Sequence, residues 1–320
     1  MNKKFLFSYL ISLIFLAAII YFVDLQDIFN SILKIGLFPS IFLGLFFSSS
    51  FIFRGIKWKY LLEPFTKISV KESFDIINTS FFANAILPAR IGELVRAYIL
   101  HKRKEIGKVK SFSTILVDRI VDGFVLIFLL IIGFLLLPEI SNELKTIGII
   151  SFVIFFILIL IFLLPEKIKK EFQKIKGKKT GKVIEKIEFL LNEILTGEKS
   201  LKQGTKNQLI IWISGIITWL IIVLFYYYTA QFIGIEISLA QAIVLNSIAA
   251  LVSMIPSAPS NIGTYEGSFG LVFLAFGLNV SDGIALGVLT HLISTIVIFL
   301  IGFFSIRSLG IDLKKFKSNF

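Results

Sequence analysis

Six long apolar stretches, at 6–23, 37–53, 120–137, 147–164, 209–230 and 283–306, dominate the pattern along the chain. Each is of the length that carries a helix across a hydrocarbon core of about 30 Å. Helix is the expected form, because lipid offers the backbone no hydrogen-bond partners. Two further apolar segments, 73–95 and 239–277, are interrupted, the first by Pro88 and Gly92, the second by Pro256, Pro259, Gly263 and Gly267. Such residues break helices and survive at membrane depth only where surrounding protein satisfies the freed backbone groups. The pattern predicts an all-α, polytopic integral membrane protein with six full spans and two broken or re-entrant helical hairpins. If the second hairpin crosses completely and returns, there are eight crossings.

Two amphipathic stripes complete the pattern. Leu25, Ile28, Phe29, Ile32 and Leu33 form one, and Val183, Ile184, Ile187, Leu190, Leu191, Ile194 and Leu195 the other. Helices of this kind lie in the membrane interface; the second serves equally well as packing against other cytoplasmic loops. The apolar run after Lys3 and Lys4 is longer than a signal-peptide core and lacks a small-residue cleavage site after Val23, so it reads as a retained first span.

Composition agrees: 56% of the 320 residues are hydrophobic, 17% are charged, and mean hydropathy is +0.88. A soluble chain carries about 25% charged residues. With no cysteine and two histidines, His101 and His291, no disulfide, thiolate nucleophile or ordinary histidine metal site is expected. No cofactor is called for either.

Charge then sets the sidedness. The net charge is +12, and nearly all of the basic residues fall at 3–4, 54–72, 96–110, 166–206 and 307–317. The remaining connections, 24–36, 138–146, 231–238 and 278–282, are each net negative. By the positive-inside rule both termini and the central linker are cytoplasmic, in a multi-pass protein of the cell membrane. Topology thus accounts for the positive charge without nucleic acid. The first hairpin enters and leaves from the cytoplasm, the second from outside.

The two hairpins resemble one another. The first ends in Asn84-Ala-Ile-Leu-Pro88-Ala-Arg90-Ile-Gly92-Glu93, and the second in Pro256-Ser-Ala-Pro259-Ser-Asn261-Ile-Gly263-Thr-Tyr-Glu266. Proline, then Ile-Gly, then Glu recurs, which points to hinges at Asn84, Pro88, Gly92, Pro256, Pro259, Asn261 and Gly263. Broken segments at matching places in two oppositely oriented halves indicate an inverted-repeat transporter. One transmembrane domain is expected: residues 1–164, a basic cytoplasmic linker at 165–206, and residues 207–320.

Ionisable groups at membrane depth are costly and are functional candidates by default. They are Arg90, Glu93 and Arg96 in the first hairpin, Asp118, Arg119 and Asp122 at the start of the third span, Glu266 in the second hairpin and His291 in the last span. Asp118 and Asp122 share a helix face, and Arg119 can reach Asp122; the alternative is that Asp118 and Arg119 are anchors at the interface. Arg90 beside the Pro88 break suits a phosphate, or else it braces the hairpin through Glu93 or Asp118. Glu266 either works in a site or caps the outer mouth. His291 either carries protons or is a hydrogen-bonded structural group. Arg54, Lys57 and Trp58 read as an interface anchor. No nucleotide-binding, hydrolase or metalloprotease signature occurs.

At these residues the chain resembles the lysylphosphatidylglycerol synthase transmembrane, or flippase-like, domain family. The resemblance is carried by Arg54-x-x-x-Trp58-x-x-Leu61-Leu62, the Asn84…Pro88-x-Arg90-x-Gly92-Glu93-x-x-Arg96 block, Asp118-Arg119 and Pro256…Asn261-x-Gly263-x-x-Glu266-Gly267. In the bacterial multiple peptide resistance factor such a domain moves aminoacylated phosphatidylglycerol between leaflets, and a separate soluble domain attaches the amino acid. The resemblance implies the membrane domain alone, with no aminoacyl-transferring domain in this sequence.

The resulting expectation is a lipid translocase that binds an anionic or aminoacylated phospholipid or a polyprenyl phosphate. Arg90 and Arg119 take the phosphate, while Asp118, Asp122 and Glu93 receive a cationic headgroup or balance the arginines. One alternative is a membrane enzyme that modifies a lipid headgroup, with Asp118 or Glu266 as base and His291 as acid. Another is an accessory subunit that docks a glycosyltransferase through the basic linker. Partners compatible with the sequence are membrane lipids, a separate synthase or glycosyltransferase, and further copies of the chain.

Overall fold

The computed structural model describes residues 33–87, 91–137, 199–253 and 259–311, with isolated positions in between. The predicted span at 6–23, most of that at 147–164, both amphipathic stripes apart from Leu33 and Ile184, most of the linker, Pro88, Arg90, Pro256 and both termini lie outside the described residues.

The described residues are helical. They form α1 (Leu37–Leu62), α2 (Val70–Ile86), α3 (Gly92–Lys104), α4 (Lys108–Leu136), α5 (Thr205–Phe232), α6 (Leu239–Val252), a 3-10 turn (Pro259–Asn261), α7 (Thr264–Ala275) and α8 (Val280–Ser308). Four of them, α1, α4, α5 and α8, are long and apolar enough to cross a membrane. The pairs α2/α3 and α6/α7 are the two interrupted segments. Their limbs of 17, 13, 14 and 12 residues rise only about 18–26 Å at 1.5 Å per residue.

Local chemistry sets the hairpin ends. Each outgoing limb starts on a serine: Ser69 Oγ accepts the Glu72 amide of α2, and Ser238 Oγ accepts the Gln241 amide of α6 while the Gln241 side chain accepts the Ser238 amide. α2 stops where Leu87, ahead of Pro88, turns extended. Each returning limb starts at the glycine of an Ile-Gly pair. Gly92 opens α3, donates its amide to Asn84 Oδ1 at 2.7 Å, and lies against the α2 backbone at Ser80. Gly263 precedes α7 at a φ of 85°, in the left-handed region that favours glycine.

End contacts fix the direction of every helix. At one end, Gln203 Nε2, just before α5, donates to the Tyr60 carbonyl of α1, and Trp58 Nε1 of α1 donates to Thr114 Oγ1 of α4. At the same end Ser308 of α8 donates to Asp75 of α2, and Arg103 of α3 donates to the Leu309 carbonyl. α6 begins at the opposite end, where Ala240 and Val244 meet Gly133 of α4. Seen from the first end, α1 arrives, α2 leaves, α3 arrives and α4 leaves; α5 leaves, α6 arrives, α7 leaves and α8 arrives. The second set runs opposite to the first.

Packing follows the same correspondence. α1 packs on its counterpart α5, and α2 packs on α8 as α6 packs on α4. Within the sets, α1/α2 matches α5/α6, and α3/α4 matches α7/α8. The core runs along α1, α4, α5, α6, α7 and α8, with Phe47, Phe225 and Phe269 at its centre. Many other apolar side chains on the long helices face outward, including Phe38, Leu45, Leu135, Leu300 and Phe304, as a hydrocarbon surround requires.

The Gly92 contact yields a test. A Cβ there would sit 2.6 Å from Asn84 Oδ1 and run into the Ser80 carbonyl. Gly92→Ala is expected to destabilise the protein by about 1–3 kcal/mol, read as a lower midpoint in tryptophan-monitored thermal unfolding. An unchanged midpoint would show that the hairpin tip is not closely packed.

Candidate functional site

A group of buried charges binds the first set of helices together. Lys57 of α1 reaches both carboxylates of α4, Asp122 Oδ1 at 2.5 Å and Asp118 Oδ1 at 2.9 Å. Arg96 of α3 binds Asp118 Oδ2 at 2.8 Å and stacks 3.8 Å from the Trp58 ring. Trp219 Nε1 of α5 donates to Asp122 at 2.9 Å. Lys57 and Asp122 are 1% exposed and Arg96 3%. Charges taken this far from water persist only when paired and hydrogen-bonded.

This corrects one sequence expectation. Arg54, Lys57 and Trp58 are not an interface anchor: α1 continues past the apolar run to Leu62, which carries them inside against α4 and α5. Asp118, for which the sequence left a site role and an interface anchor open, is buried within the protein. Arg119 lies 3.9 Å from Asp122 Oδ2, but its close partner is Glu93, bound from Nε at 3.0 Å and Nη2 at 2.8 Å.

A cavity of about 200 Å³ lies above this group, between the two hairpin tips. Asn84 and Leu87 come from the first tip, Ser253, Ser260, Asn261 and Tyr265 from the second, and Arg54, Arg119, Trp219, Tyr226 and His291 from the long helices. Arg54 is the distinctive group. Its guanidinium lies 5.3 Å from the Phe81 ring centre and 5.0 Å from that of Trp219. The closest carboxylate oxygen, Asp122 Oδ2, is 3.9 Å away, and no described residue accepts a hydrogen bond from it.

Across the cavity, Glu266 of α7 accepts the Gly263 amide on Oε2 at 2.7 Å and meets His291 Nδ1 of α8 through Oε1 at 2.5 Å. Glu266 therefore caps α7 from within and is 7% exposed. His291 Nε2 is 2.9 Å from Ser260 Oγ. Tyr265 donates to the Tyr226 hydroxyl at 2.8 Å.

The two sides mirror one another. Glu93 pairs with Arg119 across 26 residues, and Glu266 with His291 across 25. Each acid stands in the first turn of a returning limb, and each partner stands on the long helix that follows. Of the predicted hinges, Asn84, Gly92, Pro259, Asn261 and Gly263 are found at the tips. Among the described residues no group of three or more His, Asp and Glu side chains is arranged to hold a metal ion.

Sequence reasoning missed Arg54, Ser260, Trp219, Tyr226 and Tyr265 as cavity residues. For Arg54 a signal existed. Asp118 and Asp122 on one helix face need buried cations, and Arg54 and Lys57, three residues apart, share a face of a neighbouring helix.

The ion group generates a stability prediction. Lys57→Met leaves Asp118 with Arg96 alone and Asp122 without its closest cation. Breaking a buried pair by removing one partner costs about 3–5 kcal/mol, to be read in reversible denaturant unfolding of the purified protein. A loss below about 1 kcal/mol would mean that these charges are hydrated.

Comparison with known proteins finds a family of membrane proteins. Residues 5–302 match the family described as "Lysylphosphatidylglycerol synthase TM region". A UPF0104 membrane protein of Methanocaldococcus jannaschii is 28% identical over 132 residues, 39% of this chain and 39% of that protein. Another, from Methanothermobacter thermautotrophicus, is 25% identical over 240 residues, 68% of this chain and 69% of its own length. No solved structure matches. With the family matched over nearly the whole chain, this helical membrane protein belongs to the lysylphosphatidylglycerol synthase TM region family.

Proposed function

We propose that the protein moves a phosphate-bearing lipid headgroup between membrane leaflets through the cavity at the hairpin tips. The observation that carries this reading is Arg54, a guanidinium with no hydrogen-bond partner among the described residues, lining the cavity together with Arg119. A guanidinium presents several donors in a plane and suits phosphate oxygens. The aromatic rings beside Arg54 shield it without consuming its N–H groups. Asp118 and Asp122 are already engaged with Lys57, Arg96 and Trp219, so they serve as fixed counter-charges rather than as receptors for a cationic headgroup. Glu93 holds Arg119 until phosphate competes for it.

The matched, oppositely directed helix sets supply the movement. In this reading they form an inverted repeat whose halves exchange conformations, exposing the cavity first to one leaflet and then to the other. The spans at 6–23 and 147–164 complete six crossings in the cell membrane, with both termini and the basic linker on the cytoplasmic side. The headgroup passes through the polar cavity while its tails remain in hydrocarbon. Arg90, next to the first tip, is a further phosphate ligand.

The test is transbilayer movement of fluorescently labelled phosphatidylglycerol in proteoliposomes. A charge-assisted hydrogen bond contributes about 1.5–3 kcal/mol, and a tenfold change corresponds to about 1.4 kcal/mol. Arg54→Ala with Arg119→Ala is expected to slow movement about a hundredfold or more. Movement at the unaltered rate in the double variant would refute the proposal.

A further inference from the structure

The second hairpin tip contains an arrangement that lipid movement does not require. Ser260 Oγ, His291 Nε2, His291 Nδ1 and Glu266 Oε1 form a continuous chain with separations of 2.9 and 2.5 Å. An ionised carboxylate only accepts hydrogen bonds, so in the neutral imidazole paired with it Nδ1 carries the proton and Nε2 is the nitrogen that accepts from the serine hydroxyl. Glu266 is in turn held by the Gly263 amide. The geometry points to a serine nucleophile with His291 as general base and Glu266 as the group that orients it, acting on a carboxylic ester of a lipid held in the cavity.

Three observations beyond the distances support this assignment. Ser260 and Asn261 stand consecutively at φ values of 59° and 61°. Non-glycine residues in this region are uncommon, and strained conformations collect at functional sites. Ser260 and His291 both line the cavity, so the hydroxyl has access to a ligand. The mirrored position is filled differently: Arg119 pairs with Glu93 there, and a guanidinium can brace a hairpin but cannot accept a proton. Of the two mirrored partners, only His291 can relay a proton from a hydroxyl.

The substrate class follows from the walls. Phe47, Ile222, Phe225 and Ile298 give the cavity an apolar side, and Arg54 gives it a cationic one. Together they fit an ester of a phosphate-bearing lipid; the phosphate component rests on the function proposed above, whereas the serine relay does not.

The step balances without a redox partner. As Oγ bonds to the ester carbonyl carbon, its proton passes to Nε2. The carbonyl–oxygen bond to the alcohol then breaks, and the departing oxygen takes that proton. Water next attacks the acyl-serine, giving its proton to Nε2, and the carboxylic acid leaves as Oγ recovers the proton. The developing oxyanion needs N–H donors, and the groups in the cavity wall with N–H groups to offer are the Arg54 guanidinium and the Asn84 NH2. Both residues line the cavity, and no described residue accepts a hydrogen bond from either.

The full chain in nanodiscs, treated with a long-chain alkyl fluorophosphonate, tests the assignment by intact mass and peptide mapping. One phosphonyl adduct on Ser260 is expected, absent in Ser260→Ala and formed about a hundredfold more slowly or worse in His291→Gln. No adduct on the unaltered protein, an adduct on a different serine, or equal labelling rates with and without His291 would each overturn the relay. The unaltered protein alone decides the first two outcomes, so a poorly folding variant does not blunt the test. Labelling needs no lipid movement: an unreactive Ser260 leaves the transport reading standing, and a reactive Ser260 in a protein that moves no lipid sinks only that reading.

Discussion

Burying lysine, arginine and aspartate inside a helical membrane protein is possible only if each charge meets its opposite at hydrogen-bond distance, and the architecture depends on that requirement. Lys57 pairs with Asp118 and Asp122 together, Arg96 takes the second oxygen of Asp118, and Trp219 joins Lys57 on Asp122 Oδ1. This fixes α1, α3, α4 and α5 relative to one another. Lipid drives no association of apolar helices by the hydrophobic effect, so directional contacts of this kind, with close packing, supply the specificity. The cavity rests on this group, and its cations are the surplus: Arg54 reaches Asp122 only at 3.9 Å and faces the open space.

The hairpins solve a second problem. A helix broken in hydrocarbon leaves amides and carbonyls unsatisfied, and each tip answers with its own side chains. Asn84 accepts the Gly92 amide, and Glu266 accepts the Gly263 amide. Breaking the helices within the protein is also what concentrates polar groups there. The cavity and the broken backbone are consequences of one arrangement.

Matched helix sets with unlike chemistry distinguish the two sides. Glu93–Arg119 is a permanently charged pair, and Glu266–His291 one whose charge depends on protonation. The first side carries the cations that suit phosphate. The second carries hydroxyls and an imidazole, through Ser260, Tyr226, Tyr265 and His291. A ligand in the cavity meets electrostatic binding from one hairpin and hydrogen-bonding or reactive groups from the other.

The sequence alone determined the class of protein, the place of the long helices at 37–53, 120–137, 209–230 and 283–306, and the two interruptions. The reason is that hydrocarbon acts on every residue individually: it demands apolar runs of fixed length and tolerates proline and glycine only within protein. Matching hairpin motifs were legible because Ile-Gly and the following Glu do the same local work twice. Which charges meet was decided by the tertiary structure. Lys57 and Asp122 are 65 residues apart, and Ser260 and His291 are 31 apart. Arg54, Lys57 and Trp58 looked like an anchor because they follow the apolar run, and only the packing of α1 against α4 and α5 turned them inward. Pairing energy belongs to two residues at once, so no pattern along one strand of sequence contains it.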